Sequence, residues 1–139
     1  MGEMPHSTVQ AELVYWLRHN KVEWGIKPLV EQRIRVSAGS VRICDVCAIH
    51  LGAPKENVLT TPPLLCIEVL SPKDRIPRAT RVLEDYRRMG VPNIWLIDPI
   101  KCIGYSYDAT GLHQATNDRL EIPGSPIHVA LSSLFLALD

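Results

Sequence analysis

Two carboxylates interrupt runs that are otherwise largely apolar. Glu68 stands in Pro62-Pro63-Leu64-Leu65-Cys66-Ile67-Glu68-Val69-Leu70-Ser71-Pro72, and Asp45 in Val41-Arg42-Ile43-Cys44-Asp45-Val46-Cys47-Ala48-Ile49-His50. A short apolar run between prolines reads as a buried strand, and an uncompensated ion inside one costs several kcal/mol even after relaxation. Such an acid needs a cation, a metal or a proton. If the two strands are neighbours, as consecutive strands often are, the acids can meet on one face. Adjacent carboxylates repel, which either protonates one of them or recruits a divalent cation. Hard oxygen ligands of that kind suit Mg²⁺ or Mn²⁺, which activate water against a phosphodiester. The alternative is that each acid pairs with an arginine, such as Arg42 or one from the helix after Glu68.

Three other groupings carry less. Residues 73–88 hold six cations (Lys73, Arg75, Arg78, Arg81, Arg87, Arg88) against three anions (Asp74, Glu84, Asp85). They make either a phosphate-facing patch or a solvated helix face with internal ion pairs. Cys44-Asp45-Val46-Cys47 has the C-x-x-C spacing of zinc and redox sites. In a strand, however, an odd offset sends the two sulfurs to opposite faces, and no second C-x-x-C follows. Of the five histidines, only His6, at the entry to the first helix, would approach the acids, and only if that helix packs against them.

The elements that must position these groups follow from periodicity. Ser7 opens a capping box with Gln10, and Val9, Leu13, Trp16 and Leu17 line one face of a helix ending near His19. Residues 21–27 read as polar connection. Residues 29–37 alternate partially, with Val30, Ile34 and Val36 on the apolar side, and Ala38-Gly39-Ser40 turns the chain into the Asp45 strand. There, alternation would place Val41, Ile43, Asp45 and Cys47 together. In the Glu68 strand, Cys66, Glu68 and Leu70 face one way and Leu65, Ile67 and Val69 the other. From about Arg78 a helix follows, with Ala79, Val82, Leu83, Tyr86 and Met89 apolar and Gly90 as its cap. Residues 93–98 are a further buried strand, so this strand–helix–strand pair is parallel. The tail reads as an edge strand at 103–107, another within 111–122 and a short helix from near Ser132.

The totals set bounds. A chain of 139 residues, 46% hydrophobic and 22% charged, with formal net charge +0, reads as one domain over 1–139. It has no global charge for nucleic acid or membrane, so polyanion binding must be local. No run spans a membrane, no signal peptide is expected at the start, and Cys44, Cys47, Cys66 and Cys102 read mostly as reduced core thiols of a cytoplasmic protein.

Together these residues resemble the putative restriction endonuclease family of the PD-(D/E)XK nuclease superfamily. The matching pieces are Val41-Arg42-Ile43-Cys44-Asp45-Val46, then residues 65–72, then Val82-Leu83-Glu84-Asp85-Tyr86-Arg87-Arg88-Met89-Gly90-Val91-Pro92-Asn93-Ile94-Trp95-Leu96-Ile97-Asp98-Pro99. The resemblance implies an α/β fold, a restriction-endonuclease-like core with a mixed central sheet flanked by helices. It implies Mg²⁺ (or Mn²⁺) held by Asp45 and Glu68, with the Val69 carbonyl and Glu31 as further ligands, and DNA as substrate. The superfamily lysine two residues after the glutamate is here Leu70. The helical position where relatives place it is Val82, beside Arg81, which braces a phosphate but is a poor base. Arg81 or Lys73 would then offset charge on the phosphate, and cutting both strands would favour a homodimer. The competing reading is an inactive relative kept as a DNA-binding or protein-interaction module, with Glu68 neutralised by Arg78 or Arg81.

Overall fold

The computed structural model describes residues 3–139. In chain order it contains α1 (Met4–His19), α2 (Lys21–Trp24), β1 (Ile26–Ser37), β2 (Ser40–His50), β3 (Leu65–Val69), α3 (Ile76–Met89) and β4 (Asn93–Asp98). β5 (Ile103–Asp108), β6 (Gly111–Gln114), β7 (Arg119–Glu121), β8 (His128–Ala130) and α4 (Leu131–Leu136) complete it. Strands β1 to β6 form one mixed sheet in sequence order, and β7 pairs with β8 beside it. β2 runs antiparallel to β3, while β3 and β4, joined by α3, are parallel, as their apolar character predicts.

Helices cover both faces of the sheet. On one side Val9, Leu13 and Leu17 of α1 bury against Val46, Ile67 and Trp95, together with Leu131 and Leu134 from α4. On the other, Leu83 and Tyr86 of α3 pack on Cys66, Leu70 and Leu96. The strict alternation of β3 explains this division: Leu65, Ile67 and Val69 belong to the α1 side, and Cys66 and Leu70 to the α3 side.

Several boundaries differ from the sequence reading. α1 begins three residues before Ser7, with Pro5 in its first turn and Glu3 at the N-cap, and no side chain caps it. The Ser7 N–H already bonds to Glu3 O at 3.0 Å, because the fixed φ of Pro5 suits a first turn and leaves Ser7 inside the helix. Residues 21–27 hold the short helix α2, closed by Gly25 at φ 65°, and β1 starts there. Cys102 is exposed in a turn at φ 55° instead of lying in the core. Strand β8 precedes the last helix.

The largest departure lies in the β1–β2 hairpin. Pairing runs from Ile26↔His50 to Val30↔Val46 and resumes at Gln32↔Cys44, skipping Glu31 and Asp45, which would oppose each other. Glu31 takes a left-handed φ of 51°. Past this irregularity the two faces exchange. Leu29 and Ile34, an odd number of residues apart, both pack on the α3-side core, and so do Cys44 and Cys47. The predicted grouping of Val30 with Ile34 and Val36 therefore fails, since Val30 is 47% exposed. The predicted face of Val41, Ile43, Asp45 and Cys47 also dissolves: Val41 and Ile43 are exposed, and Asp45 is 4% exposed and bonded toward α1. The C-x-x-C sulfurs share one side after all.

Candidate active site

The skipped pair opens the sheet where the two acids sit. The β2–β3 ladder ends at Val46↔Ile67, and side chains take over where backbone pairing stops. The Val69 N–H donates to Asp45 Oδ2 at 2.8 Å, and the Asp45 N–H donates to Glu68 Oε2 at 3.2 Å. Each acid is thus tied to the other acid's strand. A second anchor comes from a different helix in each case. His6 Nε2 of α1 lies 3.3 Å from Asp45 Oδ2, with both side chains almost wholly buried. From α3, the Tyr86 hydroxyl donates to Glu68 Oε2 at 3.0 Å.

One oxygen of each carboxylate is therefore engaged twice. Among the described residues, Asp45 Oδ1 and Glu68 Oε1 accept no hydrogen bond. Glu68 keeps partial exposure into a cleft of about 160 Å³ lined by Val69, Leu70, Asp74, Arg78, Ala79, Val82 and Leu96. Even so, enough protein surrounds its carboxyl that burial raises its pKa well above the usual range, and the charge of Asp45 adds to the rise. Burial also raises the pKa of Asp45, against the opposing pull of the Val69 N–H and His6.

The remaining candidates are distributed around this pair. Glu31 lines a larger cleft, about 570 Å³, on the α1 side with His6, Ser7 and Gln10. Val69 is in direct contact with Asp45; its N–H and C=O face the same edge of β3, so the carbonyl opens on the same gap. Arg81 faces a separate groove with Arg42, Asp85, Arg88 and Tyr107, and Lys73 is exposed in the β3–α3 connection. The arginine alternative fails for both acids. Arg42 pairs with Asp85 at 2.9 Å, and no lysine or arginine ion pair reaches Asp45 or Glu68 among the described residues. Glu68 is held instead by a tyrosine hydroxyl and a backbone N–H.

Tyr86 was not singled out in the sequence, because it falls in the apolar stripe of α3 and reads as core. The usable signal was its hydroxyl, which needs a partner once buried. His6 was visible only as a histidine at a helix entry.

The donor chemistry fits a hard divalent cation: two carboxylates, each with an unengaged oxygen, and a backbone carbonyl beside them. Among the described residues no three His, Cys, Asp or Glu side chains converge to hold an ion. A cation here would therefore rely on the two acids, backbone and solvent, the pattern Mg²⁺ favours.

The family described as "Putative restriction endonuclease", Uma2, matches residues 1–131. The chain belongs to that family. Among solved structures, a protein described as a putative nuclease belonging to DUF820 from Anabaena variabilis ATCC 29413 is similar with a TM-score of 0.85 at 21% identity. The match covers 100% of this chain and 84% of that one. At that identity the likeness speaks to the fold, which for this Uma2 chain is the restriction-endonuclease-like α/β core with its mixed sheet. No curated protein matches the sequence.

Proposed function

We propose that this Uma2 protein is a metal-dependent nuclease that hydrolyses phosphodiester bonds of DNA. The observation that carries the reading is the paired clamp on Asp45 and Glu68, which engages one oxygen of each acid twice and leaves the other free. Those two acids would hold Mg²⁺ or Mn²⁺ with the Val69 carbonyl as a further ligand, and Glu31, which does not converge with them, would reach the ion only through water. Such an ion would supply positive charge against the phosphate oxygens and lower the pKa of water in the site. His6 and the Val69 N–H orient Asp45, while Tyr86 and the Asp45 N–H orient Glu68. With Leu70 and Val82 at the positions relatives give to lysine, positive charge near the phosphate comes from Arg78 in the Glu68 cleft, and from Arg81 and Lys73 farther out. An arginine can neutralise a phosphate but cannot serve as a base. The family's name and fold support the nuclease class. The three buried, unpaired thiols support a reducing, cytoplasmic setting, and cutting both strands would call for a two-fold dimer.

The test is plasmid cleavage with Mg²⁺ or Mn²⁺ against EDTA, in wild type and in Asp45→Asn and Glu68→Gln. We expect metal-dependent nicking that falls at least about a hundredfold in either variant, since metal-ion catalysis contributes several kcal/mol. Equal background in all three would end the nuclease reading. One observation favours a second reading, an inactive nuclease fold that binds DNA or a protein partner: Glu68 is already satisfied by Tyr86, the Asp45 N–H and a raised pKa. In that case a proton, not an arginine, neutralises it.

A further inference from the structure

The six cations and three anions between Lys73 and Arg88 are sorted by the fold into two halves. In the C-terminal half of α3 the charges are matched. Glu84 accepts from Arg87 at 2.8 and 2.7 Å, from Arg88 at 3.0 Å and from the Tyr107 hydroxyl at 2.9 Å. Those partners, Arg87 first, hold the Glu84 carboxyl down to about 2. Asp85 is taken by Arg42. In the N-terminal half no ion pair forms among the described residues, although the charge of Lys73 acts on Glu3. Asp74 folds back onto the Ser71 N–H at 2.9 Å, and Lys73, Arg75, Arg78 and Arg81 are exposed and make no ion pair among the described residues.

A solvated, self-neutralised helix face would alternate signs along its length, and this half does not. Its placement matters as much as its charge. Arg78 and Arg81 are one turn apart on α3, at i and i+3, with Arg75 one step before them. Arg78 lines the Glu68 cleft. Arg81 lines the next groove, about 440 Å³, where the only acids are the already paired Glu84 and Asp85. Of the unpaired cations, Arg78 therefore stands beside Glu68 and Arg81 one helical turn further along α3, with Lys73 and Arg75 in the segment that leads into the helix.

We propose that Lys73, Arg75, Arg78 and Arg81 form a docking surface for the sugar-phosphate backbone of a nucleic acid, leading one strand to Glu68. The link to a nucleic acid, as opposed to another polyanion, rests on the nuclease reading above. The availability of these exposed cations, none of them in an ion pair among the described residues, rests on the structure alone.

The experiment is fluorescence anisotropy in EDTA, where nothing is cut, using a labelled duplex DNA, its single strand and the matching RNA. Salt is varied over roughly 50 to 200 mM, with poly-glutamate as competitor. Wild type should bind with a log–log salt slope of roughly −2.8 to −3.6, about −0.7 to −0.9 for each of four phosphates neutralised. Arg78→Ala and Arg81→Ala should each reduce the slope by about 1, and Arg87→Ala should leave it unchanged. The surface is refuted if none of the three probes binds, if the slope survives in the double variant Arg78→Ala/Arg81→Ala, if Arg87→Ala weakens it equally, or if poly-glutamate competes at equal charge. Comparison with the cleavage assay separates the two readings. Binding with the expected slope but no cleavage removes the nuclease and keeps the surface. Metal-dependent cleavage whose salt dependence ignores these arginines does the reverse.

Discussion

Burial of Glu68 and Asp45 is affordable only because each carboxylate has one oxygen bound by two donors. Those donors come from backbone and from helices on opposite faces of the sheet, so removing one should misdirect the acid without emptying the core. Tyr86→Phe deletes the hydroxyl that reaches Glu68 at 3.0 Å and keeps the ring in its packed place. Loss of an outer partner of this kind costs on the order of 10- to 100-fold in metal affinity or activity. We expect that loss in a Mn²⁺ titration followed by calorimetry. His6 offers a second contrast, since His6→Gln keeps a polar group near Asp45 and His6→Leu does not. Calorimetry should find metal affinity better preserved in the glutamine variant. Equal losses in the two would mean that His6 serves only as packing.

At the scale of elements, the irregularity at Glu31 and Asp45 is what builds the site. A regular β1–β2–β3 ladder would have used the Asp45 and Val69 N–H groups in backbone pairs, leaving neither for a carboxylate. Glu31 carries the backbone cost of this arrangement at φ 51°, a region that is unfavourable for any residue with a Cβ. Glu31→Gly should therefore raise stability by on the order of 0.5–1 kcal/mol, the relief of the left-handed strain less the extra chain entropy of glycine. Urea unfolding would measure it. If Glu31 is a ligand, the same variant gains stability in EDTA while losing part of its response to Mn²⁺. A variant that is less stable in EDTA would show that the side chain contributes more than its backbone conformation costs.

For the whole molecule, the two acids couple stability to pH and to metal. Both have folded-state pKa values raised above their ordinary 3.8 and 4.5. The native state therefore holds protons that the unfolded chain has released. Stability from this source is fully present below the ordinary values and is lost as pH rises through the folded ones. In EDTA, the melting temperature of wild type should fall relative to Glu68→Gln as pH rises from about 5 to 8. A divalent cation takes the deprotonated pair, so its stabilisation should grow over that interval, and Glu68→Gln should abolish most of it. A wild type that tracks Glu68→Gln across the whole range would overturn the account of Glu68 as a protonated, metal-replaceable acid.

Much of this molecule was determined locally and is legible in the sequence. The alternation of β3, the apolar stripe of α3, the parallel β3–β4 pair and the isolation of two acids in apolar strands all follow from side-chain periodicity. The long stretch from Val82 to Pro99, added to the two acid-bearing strands, made the family resemblance specific. The tertiary structure decided what meets those acids. Strict alternation along β1 and β2 misassigned Val30, Asp45 and the two C-x-x-C thiols, because one left-handed residue in β1 reverses the faces of both strands, and neighbouring residue types do not announce it. His6, 39 positions from Asp45, and Tyr86, 18 from Glu68, reach the site only because helices pack on both faces of the sheet. The sorting of charge along α3 was partly hidden. Arg87 and Arg88 meet Glu84 within the helix at i+3 and i+4 spacing, but Asp85 goes to Arg42 from β2 and so is not left for Arg81.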